Sequence, residues 1–258
     1  MKRQKSDALD AEAVCEAAQR PGMRFVAVKT EAQQANAMLF KTRDLFVRQR
    51  TQIVNALRGH MAEFGWVASK GRYHAADLKP LISDPGCELL PAAQSMLKAM
   101  LATLDGLDGK IRKLDREITR RSREDVTARR LMTIPGVGPI TAVALAALCP
   151  SFEGFARGRD FAAWLGLTPR QKFTGSKQKL GSITKMGERT LRRLLIIGST
   201  AVVRQARRQN TIRNPWLTQM LERTPPMLVA VALANKMARI VWAVMTRGED
   251  YRAPAAVA

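Results

Sequence analysis

From Leu97 to Ile118, apolar side chains recur three and four residues apart: Leu97, Met100, Leu104, Leu107, Ile111, Leu114 and Ile118. A helix turns once every 3.6 residues, so this spacing gathers them into one stripe that the fold must hide. An upstream segment repeats the pattern at intervals of seven, through Leu39, Phe46 and Ile53 and again through Leu57 and Phe64. Arg43, Arg48, Arg50 and Arg58 fall between these positions and give that segment a cationic back. It reads as one helix of about 30 residues. The stretches GWVASKGRYH and LISDPGCELLP separate the two segments with glycine and proline. Two such helices predict a coiled-coil hairpin, although a dimer seam or a plain amphipathic helix on a bundle core satisfies the same stripe. Gly106 and Gly109 lie off the stripe and weaken the second helix by about 1 kcal/mol each.

Beyond residue 130 the pattern changes. LMTIPGVGPITAVALAAL spans 131–148, and shorter helices are expected from about residue 150 to Arg247. Strand signal is confined to MRFVAVK at 23–29. The expected fold class is therefore mainly α, with some α/β character near the start.

Lysine and arginine total 43 against 22 aspartate and glutamate, a formal net charge of +21. A 46% hydrophobic content excludes a disordered polycation and leaves a globular one. An excess of this size favours a polyanionic partner, because cations that neutralise phosphates release condensed counterions. A membrane is not expected. No run of about 18 uninterrupted apolar residues occurs, and the nearest, 227–245, is broken by Asn235, Lys236 and Arg239. Residues 1–20 mix charges with alanine and hold no apolar run, so no secretory leader is expected in them. Cys15, Cys87 and Cys149 are odd in number and far apart, which points to reduced thiols in a cytoplasm. With only His60 and His74, a histidine-based metal site or triad is nearly excluded.

Three motifs could carry chemistry. In IPGVGPITA (134–142), Gly136 and Gly138 make a tight turn and Pro139 opens a helix whose free N–H groups suit a phosphate. That is the layout of a helix-hairpin-helix, which holds nucleic-acid backbone without reading bases; the same glycines also end ordinary structural helices. In 165–195, Arg170, Lys172, Lys177, Lys179 and Lys185 crowd a loop rich in glycine and hydroxyl residues, and Arg189, Arg192 and Arg193 open the helix after it. These cations could grip a phosphate backbone. Thr174, Ser176, Ser182 and Thr184 supply hydroxyls, one of which could attack a phosphate; a solvated basic loop fits the composition equally. Finally, Asp7 and Asp10 stand at i and i+3, on one face of a helix. They are either half of a Mg²⁺ site or an ordinary acidic helix start.

KRQKSDALDAEA, LMTIPGVGPITAVALAAL, FAAWLGLTPRQ, KLGSITKMGERTLRRLL and VALANKMARIVWAV occur in that order over nearly the whole chain. Together they resemble transposases of the insertion sequence 110/116/902 family, the bridge-RNA-guided DEDD recombinases. The resemblance implies three parts. Residues 1–30 would be the end of an RNase H-like domain, 31–128 a long coiled-coil region, and 129–258 a C-terminal transposase domain with a helix-hairpin-helix and a serine-type loop. It implies a metal role for Asp7 and Asp10, as the last two acids of an Asp-Glu-Asp-Asp Mg²⁺ site. The other two acids, with roughly the first third of the family pattern, would lie upstream of the segment present here, so Mg²⁺ would be held poorly. The family's Ser-Ser-Gly-Gly-Lys or Ser-Thr-Gly-Gly-Lys aligns with Phe173-Thr174-Gly175-Ser176-Lys177. The nucleophile is then replaced by Phe173, or taken over by Thr174, or displaced to Ser176. Implied partners are DNA, a guide (bridge) RNA and further copies of the chain in a dimer or tetramer, in the bacterial cytoplasm at the nucleoid. The expectation for this chain is retained nucleic-acid binding with weak or absent strand exchange. A non-catalytic nucleic-acid-binding oligomerisation module is the alternative.

Overall fold

A computed structural model describes residues 6–23, 25, 28–67, 78–84, 89–174, 177–209 and 215–253. Among these, the elements are α1 (Asp7–Gln19), α2 (Glu31–Glu63), α3 (Leu78–Ser83), α4 (Pro91–Glu124), α5 (Val126–Leu131), α6 (Pro139–Leu148), a 3₁₀ turn at Phe152–Gly154, α7 (Gly158–Trp164), β1 (Pro169–Thr174), β2 (Lys177–Ile183), α8 (Arg189–Gln209), α9 (Pro215–Arg223) and α10 (Pro226–Arg247).

The long helices begin and end where local chemistry directs. Thr30 caps α2 by a reciprocal pair: the Gln33 N–H donates to Thr30 Oγ1 at 3.2 Å, and the Thr30 N–H donates to Gln33 Oε1 at 3.0 Å. Pro91 occupies the first position of α4, where its missing N–H is harmless. Asp125 ends α4 and caps α5, its Oδ1 accepting from the Thr127 N–H at 2.8 Å. Gly248 closes α10 in the left-handed region, with φ of 71°.

α2 and α4 pack antiparallel. Arg43 pairs with Asp115 at 2.5 Å and Arg50 with Asp108 at 3.2 Å, so a step of seven along α2 matches a step of seven back along α4. Such partly exposed pairs contribute little stability, but they fix register. Of the predicted α4 stripe, Leu97, Leu107, Ile111 and Ile118 are buried and Met100, Leu104 and Leu114 half-buried. Leu101 joins the buried set.

Two cores result. A small one, at the far end of the α2–α4 arm, joins Leu57, Met61, Leu97 and Leu101 to Ile82 of α3. The large one surrounds α6, in which every residue from Thr141 to Leu145 is buried. α6 lies against α2, α4, α5 and α8, and α10 closes the other side against α7 and α8. α10 is the one described helix long and apolar enough to cross a membrane. Here Val229, Leu233, Met237, Val241 and Val244 place one of its faces in the protein core.

The strand prediction needs correction. Positions 23, 25, 28 and 29 are not in a strand, and 24, 26 and 27 lie outside the described residues. The two strands instead form a hairpin within the segment read from sequence as a loop.

Candidate nucleic-acid interface

β1 and β2 pair antiparallel, with Gln171 opposite Leu180, Lys172 opposite Lys179, Phe173 opposite Gln178 and Thr174 opposite Lys177. Directly opposed positions share a face, and side chains alternate along a strand. Positions 172, 174, 177 and 179, three lysines and a threonine, are therefore one alternating set in the backbone register. The side chains of 172–174, 177 and 178, and the whole of 175 and 176, lie outside the described set, so the Ser176 candidate is not placed. Like charges directly across a ladder are destabilising unless an anion lies between them.

The base of the hairpin is held by interlocked turns. The Thr184 N–H donates to the Thr168 carbonyl at 2.9 Å, and the Lys185 N–H to the Gly166 carbonyl at 3.1 Å. Gly166 and Gly187 both have positive φ, and a Cβ on either would overlap the backbone of Met186 or Trp164. Lys185 itself sits at φ 58°, a conformation that disfavours side chains other than glycine's. Its backbone is thus fixed by the fold while its side chain stays exposed. Arg170 and Lys179 are exposed on the strands, and the Arg170 guanidinium also donates to the Thr184 carbonyl at 3.2 Å.

Arg192 does not join this surface. Its guanidinium is buried and donates to the carbonyls of Leu165 at 2.9 Å and Met186 at 3.1 Å. The expected phosphate contact is corrected to a clamp beneath the hairpin. Arg193 is likewise engaged, with Asp44 of α2. Arg189 remains exposed at the start of α8, where Glu188 already accepts from the Thr190 N–H at 3.0 Å.

The glycine turn divides its labour. Gly136, at φ 88°, is pressed against α8: a Cβ there would stand 2.9 Å from both the Gly198 carbonyl oxygen and Val202 Cγ2. Its requirement for glycine is explained by packing. Gly138 is exposed, has nothing within 4 Å of a built Cβ and caps α6 without a side-chain hydrogen bond. The first free N–H groups of α6, those of half-buried Ile140 and buried Thr141, follow a position without a side-chain cap, a start that favours an anion.

Asp7 and Asp10 lie in the first turn of α1, which buries none of its residues. Ser6 caps this helix, its Oγ accepting from the Leu9 N–H at 3.4 Å, and the two carboxylates complement the helix dipole. No group of three or more acidic, histidine or cysteine residues able to hold a metal occurs among the described residues. Two exposed carboxylates on one turn do not by themselves make a Mg²⁺ site.

Sequence reading passed over Asn235, Lys236 and Arg239 as mere interruptions of an apolar stretch. They face a groove beside the hairpin base, and their spacing on one helical face was the available signal.

A profile of the "Transposase IS116/IS110/IS902 family" matches residues 128–215. The chain is 39% identical over 249 residues to the transposase for insertion sequence element IS1328 of Yersinia enterocolitica, covering 96% of this chain and 74% of that one. It is 36% identical over 253 residues to the transposase for insertion sequence element IS1111A of Coxiella burnetii, covering 98% and 70%. The y4pF/y4sB protein of Sinorhizobium fredii, which carries a transposase designation, is 46% identical over 254 residues; the match covers 98% of this chain but 65% of the relative.

Proposed function

Because the chain belongs to the IS116/IS110/IS902 family of transposases, we propose that it grips DNA through the β1–β2 ribbon and takes part in cutting and rejoining DNA strands in the bacterial cytoplasm. The observation that carries this reading is the pairing of Lys172 with Lys179 next to Thr174 and Lys177. A ribbon face with opposed lysines is stabilised by a polyphosphate backbone, and the hydroxyl-bearing position lies among those cations. Lys185, Arg170 and Arg189, all exposed, and the uncapped start of α6 at Gly138 add phosphate contacts. Lys110, Arg112, Lys113, Arg116 and Arg123 expose further charge along α4, which suits a longer polyanion, including a guide RNA.

In the proposed step, the Thr174 hydroxyl attacks phosphorus. A phosphoester to the protein forms as the bond to the leaving sugar oxygen breaks, and the hydroxyl proton passes through solvent to that oxygen. The neighbouring lysines offset the charge that gathers on the phosphoryl oxygens. Attack by a second strand's sugar hydroxyl reverses the step and releases the protein. More than one copy of the chain would be needed to hold two strands.

A second reading is a nucleic-acid-binding module without catalysis. It is favoured by the Asp7–Asp10 pair, which is exposed and joins no third ligand among the described residues. One experiment separates the two. Purified chain is incubated with labelled DNA and Mg²⁺, then denatured and run on a gel. A covalent protein–DNA band that Thr174→Ala removes and Thr174→Ser restores supports the catalytic reading. A band that survives Thr174→Ala rejects Thr174, and salt-sensitive binding with no band selects the binding module.

A further inference from the structure

A groove of about 1140 Å³ lies between the hairpin base, α9 and α10. This is somewhat larger than most small-ligand clefts, which run from about 300 to 1,000 Å³. Its floor is apolar, formed by Leu167, Ile196, Val231 and Ile240. Lys185, Lys236 and Arg239 line it, and no carboxylate does among the described residues. At its α9 end the Lys236 ammonium stands over the Trp216 ring, 4.4 Å from the centroid. Burial, and next the charge of Arg239, holds Lys236 below the usual lysine range. At the mouth, Met227 and Leu228 are 61% and 58% exposed.

We propose that this groove seats an unpaired nucleotide, its base on the apolar floor and its flanking phosphates on Lys185, Lys236 and Arg239. The inference rests on the reading that the chain works on nucleic-acid backbone, and it assigns an adjoining surface, sharing Lys185, to a different form of that substrate. Duplex DNA hides its bases in the stack and presents phosphates to a protein surface. It has nothing to place on an apolar floor. An unpaired nucleotide offers both a flat apolar base and a charged backbone, the combination by which single strands are held. Adjacent cations without a carboxylate partner match the second half of that description. The groove's edge includes Pro169 and Gly181–Ile183, so a strand seated there runs beside the ribbon whose far end bears Thr174. β2 from Ile183 to Lys177 spans about 20 Å, which places the seated nucleotide a few nucleotides from the tip.

The test uses the full chain and fluorescence anisotropy. The probe is a labelled single-stranded DNA of about 12 nucleotides, with a 2-aminopurine near its centre, compared with the duplex of the same sequence and with a strand abasic at the centre. Expected results are quenching of 2-aminopurine on binding and a loss of about tenfold in affinity for the abasic strand, the scale of one lost base contact. Met227→Glu with Leu228→Glu, both exposed, should lower single-strand affinity to a similar extent while leaving duplex affinity within about twofold. Equal affinity for abasic and base-bearing strands, measured on the unaltered chain, overturns the proposal. So does self-association that the rim variants abolish without moving single-strand affinity, which would give the groove to a second copy. Single-strand binding that persists in a chain lacking duplex binding and the covalent band would refute the proposed function and leave this site standing.

Discussion

Gly136 and Gly198 meet backbone to backbone, so that the turn before α6 and the middle of α8 approach as closely as two glycines allow. A Cβ on Gly198 would overlap the Gly136 carbonyl. Helix propensity alone predicts that Gly198→Ala stabilises α8 by about 1 kcal/mol. The contact reverses the sign. Overpacking against backbone that cannot rotate away costs about 3 kcal/mol, so a net loss of about 2 kcal/mol is expected. Urea unfolding checks it, and an unchanged midpoint would show that the two elements separate freely.

Gly138→Asp tests the outward end of α6 without harming it. Aspartate is a favoured helix cap and complements the dipole, so stability should hold or rise by about 0.5–1 kcal/mol. The same carboxylate occupies the place offered to a phosphate. Duplex affinity should fall several-fold at low salt and converge with the parent at high salt. If affinity is unmoved while stability rises, the α6 terminus takes no part in binding.

Arg192 and Arg189 stand three residues apart and should behave oppositely. Arg192→Gln leaves the Leu165 and Met186 carbonyls without their shared charged donor, at a cost of about 3 kcal/mol. Arg189→Gln changes an exposed side chain and should alter stability by no more than about 0.5 kcal/mol. It should instead reduce the dependence of log affinity on log salt by about one phosphate. Thermal melts and salt titrations of both variants give the comparison.

Glu117 carries a pH signature on α4. Hydrogen bonds first from Arg120 and then from Arg121 hold its carboxyl at about 2, down from 4.5. The folded state thus favours the carboxylate. Its contribution is complete above pH 4.5 and is lost as pH falls from there through about 2. Carboxyl carbon NMR should find a midpoint near 2 that returns towards 4.5 in Arg120→Gln, Arg121→Gln chain. Glu117 and Arg121 are half-buried and Arg120 is exposed, so solvent reaches the cluster and added salt should raise the midpoint too.

The helices were legible because their signals are local and redundant. The Leu97–Ile118 stripe, the recurrence of Leu39, Phe46 and Ile53 at seven, and Pro139 each mark an element through neighbours in sequence. The hairpin was not legible. Residues 169–183 are polar and rich in lysine, and their pairing depends on the clamp between two distant turns around Gly166 and Gly187. MRFVAVK had the better strand composition and no strand at its described positions.

The candidate site divides along the same line. Its cations, its hydroxyl residues and the two glycines could all be named from the sequence, because residue type alone decides what a side chain can bind. Arg189 and Arg192 look alike in sequence; which one meets solvent depends on the carbonyls that α7 and the turn after β2 bring to Arg192. Gly136 and Gly138 look alike too, until α8 crosses one and leaves the other open. Charge and periodicity are properties of a chain and survive without a fold. Burial and partnership arise between segments far apart in sequence, so only the packed molecule assigns them.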